Sequence, residues 1–277
     1  MSRFAVVGEP IAHSRSPRMH TAAYRALGLP HSYAARPASA AELPGVIADL
    51  RSGRLEGCNV TVPHKQRVLE LVDRVAPSAL SCGAANTLLR SSDGAIVAHN
   101  TDVPALADEL RDLGACGAAL VLGNGGAARA ALAALARVGV GRIVVRARAF
   151  ADASVRESQL SALRSAVPPG IDLRGEPFES GSGAELETGV VVQATSLGLL
   201  APGELAARAV DWRSLPPSAC AIDLVYGPQI SAFVQAARES GCRATDGLGM
   251  LARQGALSFE AWLGVPAPLY TMWAAIL

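Results

Sequence analysis

Ala118-Ala119-Leu120-Val121-Leu122-Gly123-Asn124-Gly125-Gly126-Ala127-Ala128 decides the fold of this chain. The apolar run from Ala118 to Leu122 reads as a buried strand, and it ends in a glycine-rich turn. Ala127 to Val138 is rich in alanine and leucine and reads as a helix. Ile143 to Val145 is a second apolar strand. Together they form a βαβ unit, whose right-handed crossover makes the two strands parallel. The turn fits G-x-G-x-x-A. Gly123 permits the tight turn, Gly125 lets the backbone approach a pyrophosphate, and Ala128 lets the helix pack close to the strand. The helix N-terminus then offers free N–H groups and a positive dipole end to phosphates. A glycine turn alone would fit a plain connection. A strand before, a helix after and a second strand about 20 residues on point to a dinucleotide site.

The residues after the second strand bear on which dinucleotide. An NAD site places an acid there to accept from the ribose 2′-hydroxyl. Here stand Arg146-Ala147-Arg148, with no acid before Asp152. Two guanidinium groups suit a 2′-phosphate and favour NADP; the plain alternative is solvated charge at a strand end.

Outward from this unit, strand and helix signals alternate. Phe4 to Val7 is a short apolar strand ending at Gly8. Ser16-Pro17 reads as an N-cap followed by proline, and Met19, Ala22, Ala23, Tyr24 and Leu27 recur at helical spacing up to Gly28. Ser39 to Leu50 reads as a helix, Cys58 to Val62 as a strand closed by Pro63. Ala85 to Arg90 and Ala95 to Ala98 read as a hairpin across Ser92-Asp93-Gly94. Val103 to Leu113 is helical, Val190 to Gln193 and Cys220 to Val225 are further strands, and from Asp246 the chain turns helical again. Pro168 to Thr188 is rich in Pro, Gly, Ser and Glu and carries no assignable element beyond a loop with one strand at most.

Composition narrows the class. The 277 residues suggest two domains, and 50% hydrophobic against 18% charged residues excludes intrinsic disorder. Lys plus Arg number 25 and Asp plus Glu 24, a net charge of +1, which lacks the basic footprint of a nucleic-acid or membrane-surface binder. The five cysteines (Cys58, Cys82, Cys116, Cys220 and Cys242) are odd in number and widely spaced, which fits a reducing compartment better than a disulfide scaffold or a zinc site. No metal ligand set is expected. No apolar run reaches the roughly 18 residues of a membrane span, and the first residues read as a strand and not a signal peptide. A cytoplasmic protein is expected.

The first half carries candidate chemistry. Ser14-Arg15-Ser16-Pro17 lies at a helix N-terminus, where two hydroxyls beside unpaired N–H groups suit a carboxylate, or Ser16 serves only as cap. In a strand, Asn59 and Thr61 face one way and suit a polyhydroxylated ligand. Lys65 follows that strand. Asn100-Thr101-Asp102 lies at the junction of the two halves, where a cleft is the default ligand site, and Asp102 also fits the N-cap of the next helix.

Together these motifs resemble the shikimate dehydrogenase family over nearly the whole chain. The resemblance runs through Pro10 to Pro17, Asn59 to Lys65, Gly83 to Thr87, Asn100 to Asp102, Gly123 to Ala127, Ala194-Thr195-Ser196 and Asp246 to Leu251. It implies an α/β fold: an N-terminal α/β substrate domain (1–101), a Rossmann-type NADP-binding domain (102–240), and C-terminal helices (241–277) returning to the first. It implies NADP(H) as cofactor and a small-molecule substrate, shikimate or 3-dehydroshikimate, in a monomer or homodimer. Ser14 and Ser16 would hold the substrate carboxylate. Asn59, Thr61, Asn86 and Gln254 would bind ring hydroxyls, with Tyr226 near the carboxylate end. Lys65 and Asp102 would form the catalytic pair. Gly123, Asn124, Gly125, Gly126 and Ala127 would hold the pyrophosphate, Arg146 and Arg148 the 2′-phosphate, and Leu224 and Gly247 would lie near the nicotinamide. The implied reaction is reversible NADPH-dependent reduction of 3-dehydroshikimate, in the route to chorismate and the aromatic amino acids. A quinate/shikimate or aminoshikimate dehydrogenase and a non-catalytic NADP-binding relative are the alternatives. Two departures stand out: the family usually has Asn-Arg-Thr where this chain has Arg146-Ala147-Arg148, and Thr-Pro-Phe where it has Ser231-Ala232-Phe233.

Overall fold

The computed structural model describes residues 1–179, 187–198 and 204–277. The chain divides into two compact units, Met1–Ala105 with Gly249–Leu277, and Leu106–Leu248.

In the first unit, β1 (Arg3–Gly8) is apolar throughout its buried length, as a central parallel strand must be. Helix α1 (Ser16–Ala26) buries Met19, His20, Ala23 and Tyr24 along one stripe and stops before Gly28, whose φ of 63° only glycine adopts freely. Strand β2 (Ser32–Pro37) pairs in parallel with β1; it carries no clean alternation, so periodicity gives no sign of it. Helix α2 (Leu43–Arg51) begins later than Ser39, because Ser39 and Glu42 close a turn of their own: the Ser39 N–H donates to the Glu42 carboxylate at 2.8 Å. Pro44 then sits in the first turn, where its missing N–H costs nothing.

Strand β3 (Gly57–Val60) lies beside β1; β4 (Arg74–Val75) and the short α3 (Pro77–Leu80) lead to the antiparallel hairpin of β5 (Thr87–Arg90) and β6 (Ile96–His99). The six-stranded order is β2-β1-β3-β5-β6-β4. Leu43, Val46, Ile47 and Leu50 of α2 pack on Val7, Val60, Leu88 and Ile96. Helix α4 (Asp102–Asp112) follows and carries the chain out of this unit.

Strand β7 (Ala118–Leu122), helix α5 (Gly126–Arg137) and strand β8 (Arg142–Ala147) form the expected parallel βαβ unit. Helix α6 (Ala153–Arg164), capped by the Asp152 side chain, leads to β9 (Asp172–Pro177). That strand lies in the stretch 168–188, whose composition assigns no element; residues 180–186 of it fall outside the described residues. Strand β10 (Thr188–Gln193), helix α7 (Glu204–Arg208), strand β11 (Cys220–Asp223), helix α8 (Ala232–Glu239) and strand β12 (Arg243–Thr245) complete the second unit. Ser231 caps α8, its hydroxyl accepting from the Val234 N–H at 3.2 Å, so the departure at 231–233 is a change of helix start. The all-parallel order β12-β11-β10-β7-β8-β9 is the doubly wound arrangement, with its switch between β7 and β10.

Residues 241–248, expected among the returning helices, include β12, which pairs with β11 and stays in the second unit. From Gly249 the chain belongs to the first unit. Helix α9 (Leu248–Leu263) docks Trp262 there: its indole N–H donates to the Leu88 carbonyl at 2.9 Å, and its ring stacks on Phe4. A Cβ on Gly57 would lie 2.3 Å from that indole nitrogen, which explains a glycine inside a strand. Helix α10 (Leu269–Ile276) ends with its Ile276 carbonyl accepting from Arg15.

All five cysteines are free, and burial pushes Cys58 up to about 12 and Cys220 up to about 11, so both remain inert thiols. Among the described residues no helix is long and apolar enough to cross a membrane.

Candidate active site and dinucleotide turn

The side-chain site of the first unit begins with how α4 starts. Asp102 is its first residue, and its carboxylate does not cap it. The Asn100 side chain accepts the Val103 N–H at 3.0 Å instead, while its amide donates to the Ala84 carbonyl at 2.9 Å. This leaves both carboxylate oxygens of Asp102 for other partners. Lys65 Nζ donates to Oδ2 at 2.7 Å, and Asn86 Nδ2 donates to Oδ1 at 2.8 Å. Asn86 Nδ2 also lies 3.2 Å from Gln254 Oε1 on α9. Lys65, Asn86, Asp102 and Gln254, far apart in the chain, therefore meet. The Lys65 and Asp102 side chains are only 14% and 5% exposed, so the pair is shielded from the screening that weakens surface ion pairs.

Lys65 is presented by a loop with its own anchor. The buried His64 ring sits 2.6 Å from the Ala38 carbonyl, and the Lys65 carbonyl accepts from the Ala85 N–H at 2.7 Å. No local pattern assigns His64 this role.

Asn59 and Thr61 differ from expectation. Strand β3 ends at Val60, so Thr61 lies beyond it and the one-face argument fails there. Asn59 is buried, and its amide is taken up inside the protein. Oδ1 accepts from the Tyr33 hydroxyl at 2.7 Å, and Nδ2 lies 2.9 Å from Ser258 Oγ, 3.1 Å from the Asn86 carbonyl and 3.2 Å from Thr87 Oγ1. With its hydrogens already placed, Asn59 supports the layer beneath Asn86, and its Oδ1, which accepts from Tyr33, keeps a second lone pair. Thr61 is half-buried, its methyl against Gly8.

Ser16 is likewise no cap. It is the first residue of α1, no side chain caps that helix, and the Ser16 N–H lies 3.3 Å from Ser14 Oγ. The two serines thus sit side by side at a helix N-terminus, with the Ser16 hydroxyl not spent on capping.

In the second unit, parallel pairing sets Arg146, Leu122, Gln193 and Asp223 in one row across the sheet. The expected cofactor residues follow that row. Gly123 has a φ of 111°, and a Cβ on it would come within 2.9 Å of the Ala194 carbonyl oxygen, so the protein itself demands glycine there. Gly125 differs: a Cβ there would meet no protein atom within 4 Å. A glycine that packing does not require, at the N-terminus of α5, suits close approach by a bound phosphate group. Gly126 and Ala127 open α5, and the Asn124 amide donates to Gln159 of α6. Leu224 and Gly247 are in contact; a Cβ on Gly247 would lie 2.5 Å from the Leu224 carbonyl oxygen, and its N–H donates to the Val225 carbonyl at 3.3 Å.

Tyr226, two residues past Leu224, is half-buried. The turn that carries it is held by Asp223, whose carboxylate accepts from the Val225 N–H at 2.9 Å and the Ser231 hydroxyl at 2.7 Å. Burial, with a smaller contribution from Asp246, pushes the Asp223 carboxyl up to about 6.

The expectation for Arg146 is overturned. Its side chain is fully buried, donating to Glu176 at 3.0 Å and to the Ala209 carbonyl at 2.8 Å. Glu176 arrives by the pairing of β8 with β9, directly opposite Arg146 in register. Arg148 is exposed just past the end of β8. Of the two arginines, only Arg148 stays available to a phosphate.

A doubly wound dinucleotide fold joined to a unit carrying a buried lysine–carboxylate pair defines the class: a nucleotide-dependent α/β oxidoreductase. Residues 6–88 match the shikimate dehydrogenase substrate binding domain and residues 247–277 the shikimate 5'-dehydrogenase C-terminal domain. A shikimate dehydrogenase (NADP(+)) of Methylobacterium radiotolerans is 40% identical over 97% of this chain and 93% of its own. The crystal structure of shikimate 5-dehydrogenase from Thermus thermophilus in complex with NADP(H) and shikimate superposes with a TM-score of 0.82 at 36% identity, covering 100% of this chain and 98% of that one. The Listeria monocytogenes shikimate 5-dehydrogenase, in complex with shikimate and NAD, gives 0.84 at 27% identity, covering 100% and 96%. The chain belongs to the shikimate dehydrogenase family.

Proposed function

We propose that the protein catalyses the reversible NADP-dependent interconversion of 3-dehydroshikimate and shikimate. The observation that carries this is the buried Lys65–Asp102 pair, held by Asn86 and Gln254 in a family whose relatives bear that activity in their names. NADPH, when bound, supplies a hydride equivalent to the ketone carbon. Lys65 donates a proton, or a strong hydrogen bond, to the ketone oxygen as it becomes a hydroxyl. Asp102 holds Lys65 at that oxygen and accepts from the neighbouring substrate hydroxyl; Asn86 and Gln254 orient the ring, and Ser14 and Ser16 receive the carboxylate. On the nucleotide side, Gly123 to Ala127 would hold the pyrophosphate, Arg148 the 2′-phosphate, and Leu224 and Gly247 would line the nicotinamide end, with Tyr226 near the substrate carboxylate. Initial rates of shikimate oxidation test this, with NADP and NAD as cofactors and quinate as second substrate. Strong NADP-dependent shikimate turnover is expected. Comparable rates with NAD or quinate would instead place the protein among relatives of broader specificity, and binding without turnover would remove the assigned reaction.

A further inference from the structure

Asn86 is the only side chain that touches both the Asp102 carboxylate and Gln254 among the hydrogen bonds described. An asparagine amide is nearly symmetric in shape, and a half-turn exchanges its donor for its acceptor. Turned the wrong way, Asn86 would set a carbonyl oxygen against a carboxylate. Nδ2 also lies 2.8 Å from Thr101 Oγ1, and the orientation is fixed from the other side as well. There Oδ1 accepts from the Thr101 N–H at 2.8 Å and from the Thr87 hydroxyl at 3.0 Å.

The Thr87 hydroxyl has one proton and other acceptors close by. Ser258 Oγ lies 2.8 Å from it and Thr101 Oγ1 3.3 Å. Ser258 stands on α9 one turn after Gln254, fully buried, within 2.9 Å of Asn59 Nδ2 and 3.2 Å of Thr101 Oγ1, with the Gln254 carbonyl oxygen at 2.9 Å competing with Thr87 for its one proton. When Ser258 donates to Thr87, the single Thr87 proton has Asn86 Oδ1 as its nearest remaining acceptor. Tyr33 donating to Asn59, and Asn59 donating to Ser258, polarise this chain in one direction.

We propose that the Ser258 hydroxyl is a positioning group: acting through Thr87, it fixes which way the Asn86 amide faces and so holds the Asp102 carboxylate for Lys65. This rests on Lys65 and Asp102 being the catalytic pair. Thr87 is fully buried and Asn86 is 2% exposed, so bulk water has little access to replace a lost hydroxyl.

The test compares Ser258→Ala, Thr87→Val and the double variant with the wild type, measuring kcat and KM for shikimate at saturating NADP. Ser258→Ala lowers kcat by about ten-fold, the order of one net hydrogen bond, and leaves KM within about two-fold. The double variant falls no further than the worse single one, because both interrupt one chain. Unchanged kcat with a lowered melting temperature would mean that Ser258 only packs, and overturns the proposal. A second arm is independent of turnover: hydrogen exchange of the Asn86 side-chain amide by NMR, slow in the wild type and faster in Ser258→Ala. Retained protection in Ser258→Ala overturns the proposal even in a protein that reduces a different substrate. An inactive wild type with the expected exchange change would sink the reading of the reaction and leave the positioning role standing.

Discussion

The two units build their sites from different materials. In the first unit the candidate site is a set of side chains, Lys65, Asn86, Asp102 and Gln254, each placed by a hydrogen bond to another side chain. In the second it is mostly backbone: Gly123, Gly125 and Gly247 matter for what they lack, and the row of strand ends sets their positions. A side-chain site fails when one functional group is removed, whereas a backbone site fails when atoms are added. The second kind leaves a spaced pattern in the sequence. The first leaves only residue types, because its geometry comes from strands and helices that meet late in the chain.

Removing the functional group at the centre of the first site should have the largest effect. Lys65→Ala is expected to lower kcat by about 10²–10⁴-fold, the usual span for a positioned proton donor, with KM for shikimate far less changed. Steady-state kinetics read both; lost affinity with turnover kept would make Lys65 a binding residue.

Arg146, near the end of β8, and Arg148, just past it, separate structure from cofactor binding within the second unit. Arg146→Met leaves Glu176 and the Ala209 carbonyl without their buried partner, and the expected loss is about 3–5 kcal/mol of stability, read by denaturant titration. Arg148→Ala should leave stability alone and raise KM for NADP by about 10–100-fold, with KM for NAD unmoved, as loss of one charge-assisted contact to phosphate would do. A rise in both KM values would show that Arg148 does not read the 2′-phosphate.

The smallest effect sets the units against each other in acid. Burial drives His20 of the first unit down to about 3 from 6.5, so the folded state refuses a proton that the unfolded chain takes. That stability is present above pH 6.5 and is lost as pH falls from there towards 3. Asp223 of the second unit, raised from 3.8 to about 6, holds a proton that the unfolded chain has released, so its contribution is present below 3.8 and lost as pH rises through 6. Between about pH 4 and 6 the two slopes oppose. Melting temperature against pH should tilt downward in His20→Phe and upward in Asp223→Asn, relative to wild type. Parallel curves in all three proteins would show that neither group titrates as described.

The legibility of the sequence follows the same division. The βαβ unit around Gly123 is readable because strand, turn and helix are contiguous and each has a local cause. The Lys65–Asp102 contact is not, since no local signal brings a loop after β3 to the first residue of α4. Arg146 shows how a sound local argument fails. Its charge is visible, but its partner Glu176 lies on a strand within a stretch whose composition resembles a loop, and only parallel pairing brings the two together. Asn59 reads as facing a ligand because alternation gives a face, and it cannot say that Tyr33, Thr87 and Ser258 also bond to its amide. Ser258 leaves no signal: a serine in a helix is ordinary until its neighbours are known.

The first unit is discontinuous in the chain, closed by residues 249–277 after the second unit has been spelled out. On a ribosome β1 is therefore made before the second unit and covered after it. Phe4, His20 and Tyr24 wait for Phe259 and Trp262 until the whole second unit has been made, with all its strands in hand. The nascent chain thus carries an unfinished aromatic surface while the second unit is made, and the order of manufacture of the two units is the reverse of their order of closure.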